Sequence, residues 1–241
     1  MLRSRLAPGA RCALEHGGVA PVIVDATADL DLAVPSLVKG GFYHSGQVCV
    51  SVQRVFAHSS IAGDLGARMS EAAQALKVGN AIDEDTECGP LIRPREVDRV
   101  AQWIDEARDG GAEILCGGEK LTDTAYAPTV LFNPSPEATI SRNEVFGPAV
   151  CIYSYDDVDA AIAQANSLDV AFQAAVFTND LKNAMHTYRN IDASAVMVND
   201  HTAFRTDWMP FAGLRSSGHG VGGIPYTMHE MTIEKMIVIN S

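Results

Sequence analysis

The sequence predicts an α/β fold with a mainly parallel sheet flanked by helices. Short β-rich apolar runs alternate with longer segments whose apolar residues recur at helical spacing, which is typical of parallel sheets. The 241 residues, of which 47% are hydrophobic and 20% charged, are enough to bury a substantial core. In open α/β sheets, sites form at the carboxyl ends of the strands, and we expect the same here.

The individual elements follow from apolar runs and from helix end signals. The first helix stops near glycines and contains Pro35, which either sits early in the helix or kinks it. The second helix closes at Gly79, and Asp156 or Asp157 is expected to cap a later one. We predict strands over residues 20–25, 53–59, 113–118, 127–132, 149–155, 173–178 and 194–199, and helices over residues 28–46, 60–79, 95–112, 156–168 and 179–191.

The last segment, residues 231–241, is also strand-like, but no further strand follows it. A strand at a chain terminus needs a neighbour with which to pair. A partner subunit could supply that neighbour, and an edge strand of the same sheet is equally compatible with the pattern.

Charge and cysteine content exclude several classes of function. A net charge of −12 and a pI of about 4.9 argue against binding nucleic acid or an anionic membrane through a general basic surface. No signal peptide or membrane-spanning run is recognised, so we expect a cytoplasmic protein with reduced thiols. The number of cysteines is odd and no CxxC pair occurs, so no metal site is predicted; they are Cys12, Cys49, Cys88, Cys116 and Cys151.

Five stretches carry residues that could do chemistry. Taken singly, each also has an ordinary structural explanation: a surface glutamate, a small core cysteine, a turn cap, a strand end or a loop. The glycine-rich stretch follows neither the strand–GxGxxG–helix pattern nor GxxxxGK[ST]. In chain order, the stretches are LEHGG with Glu15, GQVC with Cys49, NEVFGP with Glu144, VMVN with Asn199, and MPFAGLRSSGHGVGG.

Together and in this order, the stretches resemble the aldehyde dehydrogenase superfamily. That family reads ELGG, then GQxC, then ExFGP, then PFGGxKxSGxG, where this chain has EHGG, GQVC, EVFGP and PFAGLRSSGHG. The segments KVGNAIDEDTECGPLI and ANSLDVAFQAAVFTND also look like the family, and the resemblance runs over residues 3–238. The resemblance implies the catalytic-domain type of α/β fold.

The resemblance implies that Cys49 is the nucleophile. A thiolate adds to an aldehyde carbonyl, loss of hydride leaves a thioester, and water then releases the acid. Glu15 would be the base that activates the water, and the Cys49 backbone N–H would be one oxyanion donor. Glu144 would hold the nicotinamide ribose hydroxyls, and Phe146 would lie against the nicotinamide end of the cofactor.

Substrate contacts are implied for four further residues. Asn199 and Phe211 resemble supports and walls of the substrate tunnel, and His201 and Arg205 fall at its mouth. We predict a small aldehyde substrate, and Arg205 would pair with a carboxylate, phosphate or phosphonate if the substrate is anionic. A surface arginine, or an ion pair with the nearby Asp207, is the alternative.

The family's subunit is about twice as long as these 241 residues. The resemblance divides the chain into a remnant of the cofactor-binding domain (1–14), a catalytic domain (15–230) and a C-terminal oligomerisation strand (231–241). It implies NAD or NADP as cofactor, but whether this chain alone binds either stays open. A homo-oligomer, or a partner chain that carries the cofactor domain, would complete the enzyme; the alternatives are a cofactor-independent cysteine acyl-enzyme, such as an esterase or thioesterase, and a redox-inactive partner subunit.

Overall fold

A computed structural model describes residues 3–240. Its centre is a seven-stranded sheet in the order β4-β5-β6-β3-β2-β8-β9, in which every neighbouring pair is parallel except β4 with β5. The predicted α/β fold is therefore confirmed. The sheet strands are β2 (Ala20–Val24), β3 (Val52–His58), β4 (Glu113–Cys116), β5 (Thr129–Phe132), β6 (Ala149–Tyr155), β8 (Gln173–Phe177) and β9 (Ala195–Val198).

Helices cover both faces of this sheet, and two short strand pairs stand apart from it. One core layer packs under α3 and α5, and the other packs under α1 and α2. The short strands are β1 (Leu14–Glu15) with β11 (Gly218–His219), and β7 (Val170–Ala171) with β10 (Leu214–Arg215). The helices are α1 (Leu30–Phe42), α2 (Ser59–Ala75), α3 (Pro94–Asp109), α4 (Thr139–Arg142), α5 (Val158–Asn166), α6 (Leu181–Asn190) and α7 (Ile224–Glu230).

Local sequence signals explain the helix boundaries. The side chain of Asp157 accepts a hydrogen bond from the backbone N–H of Asp159, so it caps α5 as one of the two expected residues. Pro35 lies inside α1, and the helix continues past it to Phe42. In α3, the apolar stripe of Val97, Val100 and Ile104 is buried, as its spacing predicts.

Arg54 ties the middle of the sheet to α5. The guanidinium is 3% exposed, and it donates to the carbonyl oxygens of Val19 (3.1 and 3.3 Å), Gln164 (3.3 Å) and Ala165 (2.9 Å). Burial lowers its pKa to about 10. Because Gln164 and Ala165 belong to the last turn of α5, the cation also meets the negative end of that helix.

The C-terminal segment differs from the sequence prediction. Residues 231–240 form no strand in the described chain, so the alternative of an edge strand in the same sheet is wrong. No neighbouring strand in this chain pairs with the segment, and its apolar side chains are exposed: Ile233, Met236, Ile237, Val238 and Ile239. Residue 241 lies outside the described residues, and pairing with a partner subunit stays a prediction. The division at residues 14 and 230 also stays a prediction.

Candidate active site

The candidate site lies where three neighbouring strands begin. Glu15 and two glycines precede β2, Cys49 precedes β3, and Glu144 precedes β6. In the order β6-β3-β2 the amino ends of these parallel strands are adjacent, so the three side chains meet at one edge. The expectation of a site at the carboxyl ends is therefore wrong. The reason is that here the turns that enter the strands, rather than those that leave them, carry the three candidate side chains.

A tight turn presents Cys49. After α1 the chain turns through a 3₁₀ segment, Tyr43–Gly46, in which His44, Ser45 and Gly46 have positive φ. A Cβ at position 46 would collide with the carbonyl oxygen of Gly147, so glycine is needed there.

Side-chain hydrogen bonds anchor this turn to a second loop. Ser45 donates to the Gly89 carbonyl (2.5 Å), and the Gln47 amide donates to the Pro90 carbonyl (3.2 Å) and accepts from the Ile92 N–H (3.0 Å). The turn that leads into Cys49 is therefore fixed to residues 89–92 by two side chains, Ser45 and Gln47.

The thiol opens into a cleft of about 380 Å³. Burial raises the pKa of Cys49, the carboxylates of Glu15 and Glu144 raise it further, and Arg205 opposes them. The thiol is thus protonated at neutral pH, and a nucleophilic role requires a proton acceptor. The cleft is lined by Glu15, His16, Gly17, Gln47, Val48, Cys49, Glu144 and Phe146.

The two glycines of EHGG make room for the Glu144 carboxyl group. Glu144 Oε1 accepts a hydrogen bond from the backbone N–H of Gly18 at 3.2 Å. Gly17 has φ +93°, and a Cβ there would collide with the same carboxyl group. Burial raises the pKa of Glu144 to about 7, against the opposing effects of the Gly18 N–H and of Arg99. Glu144 therefore changes charge near neutral pH.

Glu15 is held by the glycine-rich segment. It lies on β1, where it faces Gly218 of β11, and a Cβ on Gly222 would stand 2.9 Å from Glu15 Oε1. His16, which stands where the family usually has Leu, contacts the Ser216 carbonyl through Nδ1 (3.1 Å). The glycine-rich stretch, residues 209–223, thus folds over Glu15, the base candidate.

An apolar wall also adjoins Cys49. Phe211 packs with Val50 and Phe172 against Cys49, and the two phenyl rings lie 4.6 Å apart. The guanidinium of Arg205 lies 4.1 Å from the Phe211 ring centroid. No ion pair joins Arg205 to Asp207 within the described residues. Arg205 is therefore a cation on this wall, close enough to influence the thiol.

His201 lies near the Cys49 turn, beside Tyr43. Tyr43 is close to the thiol, and the sequence analysis gave it no role. The ring of His201 is 6.4 Å from that of Tyr43, and burial lowers its pKa, so it is neutral at pH 7. Burial and, to a smaller extent, the charge of Cys49 together raise the pKa of Tyr43 to about 12. Tyr43 precedes Cys49 by only six residues, and its aromatic ring at a turn was the available signal.

Asn199 does not face the cleft. It follows β9, at the carboxyl end of the sheet, and its side-chain amide is engaged with the Thr178 backbone. Asn199 Oδ1 accepts from the Thr178 N–H (2.9 Å), and Nδ2 donates to its carbonyl (3.1 Å). The structure supports a role for Asn199 as a support of the fold, and it does not support a role as a wall of the substrate site.

The fold and this cleft define the class of protein. The family model for the aldehyde dehydrogenase family matches residues 3–237, and the chain belongs to that family. Within residues 3–240, no group of three or more His, Cys, Asp or Glu side chains could hold a metal ion. The helices of that same part of the chain include none with the length and apolar character that a bilayer crossing requires.

Individual relatives are dehydrogenases of small aldehydes. The 3-sulfolactaldehyde dehydrogenase of Priestia aryabhattai is 42% identical over 95% of this chain and 48% of its own length. The lactaldehyde dehydrogenase of Methanococcus vannielii is 38% identical over 96% of this chain and 49% of its own. The NADP complex of glyceraldehyde-3-phosphate dehydrogenase GapN from Methanocaldococcus jannaschii superposes with a TM-score of 0.90 at 36% identity, covering 95% of this chain and 50% of that one. The chain thus spans about half the length of these relatives.

Proposed function

We propose that this cleft oxidises a small aldehyde to a carboxylic acid through a covalent Cys49 intermediate, with NAD or NADP as hydride acceptor. The observation that carries the proposal is that the half-buried thiol of Cys49 shares one cleft with two carboxyl groups, those of Glu15 and Glu144, and both influence it. A protein built only to pack a small apolar residue would not place two carboxylates beside it.

The chain's own groups account for the bond changes at sulfur. Glu15 takes the proton of the Cys49 thiol and passes it to solvent, and the thiolate adds to the aldehyde carbon to form a thiohemiacetal. The backbone N–H of Cys49 stabilises the oxyanion. After loss of hydride and formation of the thioester, Glu15 takes a proton from water, which attacks the carbonyl carbon and releases the acid and the thiol. Two electrons leave the substrate as the hydride.

Two residues suit one end of the nucleotide. The carboxyl group of Glu144 faces the cleft and can accept hydrogen bonds from vicinal ribose hydroxyls, and the exposed ring of Phe146 lies beside it. When bound, the nucleotide supplies the hydride acceptor. The adenosine and pyrophosphate need contacts beyond these two residues. A partner chain, or another copy of this one, would share in holding them.

For the substrate we propose a short 2-hydroxyaldehyde whose distal carbon carries an anionic group. The names of the three relatives all denote three-carbon 2-hydroxyaldehydes, and two of them carry a sulfonate or phosphate on the third carbon. Arg205 on the Phe211 wall is a cation that could pair with such a group. An uncharged lactaldehyde-like substrate is the competing possibility.

A cofactor-independent acyl-enzyme is the second candidate function. It is favoured by one observation: the nucleophile Cys49, the base Glu15 and an oxyanion N–H all lie within the described chain. Hydrolysis of an ester or thioester needs no hydride acceptor, so these groups would suffice.

The test compares two substrates on three proteins. p-Nitrophenyl acetate should leave an acetyl group on Cys49, detected by mass spectrometry, in the native protein and in Cys12→Ala but not in Cys49→Ala. Cys12 is the matched control because it is also a partly exposed thiol but does not line the cleft. The absence of both an acetyl adduct on Cys49 and any release of p-nitrophenol that depends on Cys49 would contradict both functions.

Nucleotide binding separates the two candidates. If the protein is a dehydrogenase, calorimetric titration should show a heat of binding for NAD or NADP. The protein should also form NAD(P)H from glyceraldehyde 3-phosphate, and Cys49→Ala should abolish that activity. An acetyl adduct without any nucleotide binding would favour the acyl-enzyme.

A further inference from the structure

A buried glutamine connects the strand that follows Cys49 to the loop that carries Glu144. Gln53 lies on β3 and is 5% exposed. Its Nε2 donates to the carbonyl oxygens of Ile140 (2.9 Å) and Asn143 (2.8 Å), and its Oε1 accepts from the N–H of Val145 (3.0 Å). Both amide protons and the amide oxygen are therefore used.

The partners of this amide stand on both sides of Glu144. Asn143 ends α4, and residues 143–148 have no regular secondary structure before β6 begins. The loop therefore lacks a ladder of backbone hydrogen bonds, and side chains hold it instead. Arg99 adds a second contact by donating to the Val145 carbonyl at 2.7 Å. Among the described residues, Gln53 is the one whose side chain forms hydrogen bonds with both the residue before Glu144 and the residue after it.

Gln53 also stands only four residues after Cys49 in the sequence. The same short piece of chain therefore carries the thiol and the amide that fixes the carboxylate loop. We propose that Gln53 is a positioning residue, whose side-chain amide clamps the backbone on both sides of Glu144 and so places the Glu144 carboxyl group beside Cys49.

This inference rests on the proposed function for its catalytic meaning, but its geometry can be tested without any turnover. The charged groups that act on the Cys49 thiol are Glu15, Glu144 and Arg205. A displaced Glu144 would leave less negative charge at the thiol. A glutamine that merely fills the core would change stability without changing that charge.

The test measures local charge at Cys49 with two alkylating reagents. Iodoacetamide is neutral and iodoacetate is an anion of similar size, so the ratio of their rates at one thiol reports nearby charge, while the thiolate fraction cancels. The rates are read by mass spectrometry of the Cys49 peptide at pH about 8.5, where Glu144, with a pKa of about 7, is ionised. In the native protein, negative charge in the cleft should favour iodoacetamide.

We expect Gln53→Met to lower the iodoacetamide-to-iodoacetate ratio by roughly threefold to tenfold, as expected for moving one carboxylate away from the thiol. Glu144→Gln should lower the ratio by a similar factor, and the double variant should lower it no further than Glu144→Gln alone. Gln173→Met is the matched control, because Gln173 is also a fully buried strand glutamine, and no hydrogen bond connects its side chain to the Glu144 loop. Its ratio should stay native.

Gln53→Asn is a second variant for the case in which Gln53→Met does not fold. It keeps an amide in the buried position, but its side chain is too short to reach both sides of Glu144. It should give an intermediate ratio. A native ratio in folded Gln53→Met or Gln53→Asn, together with a lower Tm, would overturn the proposal and leave Gln53 a purely structural residue. If the native protein shows neither an acetyl adduct at Cys49 nor Cys49-dependent release of p-nitrophenol, the proposed function fails, while the reagent ratio still decides the role of Gln53.

Discussion

Replacing Glu144 by glutamine should stabilise the protein at alkaline pH and leave it nearly unchanged in acid. The substitution keeps the size of the side chain and an oxygen that can accept from the Gly18 N–H. What it removes is a carboxyl group whose burial raises its pKa from an ordinary 4.5 to about 7.

The sign follows from proton binding. Below pH 4.5 the carboxyl group is protonated in both the folded and the unfolded chain, so it does not affect the free energy of unfolding. Between pH 4.5 and about 7 only the unfolded chain releases the proton, so stability falls as pH rises, and the loss is complete above about 7. The difference of about 2.5 in pKa, at 1.36 kcal/mol per pKa unit, gives about 3.4 kcal/mol. Because the group faces an open cleft, solvent screening reduces this to about 2 kcal/mol.

Urea unfolding followed by circular dichroism at about pH 5 and pH 8 measures the effect. We expect Glu144→Gln to raise the free energy of unfolding by about 2 kcal/mol at pH 8 and by well under 1 kcal/mol at pH 5. Glu71→Gln, on the exposed face of α2, should show no such dependence on pH. An equal effect of Glu144→Gln at both pH values would refute the reasoning, because the cost would then not come from ionisation.

Three other predictions follow from single side chains. Arg54→Met should lower the free energy of unfolding by about 3 kcal/mol in urea titrations, because it strands buried carbonyl groups, whereas the exposed Arg189→Met should change it by less than about 0.5 kcal/mol. Asn199→Ala should cost about 1–2 kcal/mol in the same assay but leave the alkylation rate of Cys49 unchanged, and a large rate change would place Asn199 in the cleft after all. Arg205→Met should lower kcat/KM for glyceraldehyde 3-phosphate about tenfold more than for lactaldehyde, and equal losses would remove Arg205 from substrate recognition.

The fold could be predicted because its signals are local. Apolar runs and helical spacing mark the strands and helices in order, and Asp157 marks the start of α5. The terminal segment was predicted as a strand because Ile233 and its apolar neighbours have strand propensity. Propensity alone does not say with which neighbour a strand pairs, and within residues 3–240 no strand pairs with residues 231–240.

The sequence identified the candidate residues of the site but not the edge of the sheet at which they lie. The motifs name Cys49, Glu15 and Glu144, and the structure brings them into one cleft. The sequence analysis placed the site at the carboxyl ends of the strands, but these three residues lie at the amino ends. The rule for carboxyl ends applies to loops that follow strands, whereas here the loops precede them. Gln53 gave no signal, because hydrogen bonds from a side chain to a backbone some ninety residues away leave no periodic trace in the sequence.

The order of strands also decides when the cleft can exist during folding. The site draws on the entries to β2, β3 and β6, and Glu144 is separated from Cys49 by a long stretch of chain that includes α2, α3, β4 and β5. Parallel pairing of such distant segments is slow to form, because the entropy of closing long loops must be overcome first. The thiol of Cys49 should therefore stay freely reactive until the central strands have paired. The time at which Cys49 becomes protected from a thiol reagent during refolding would then report when the central sheet assembles.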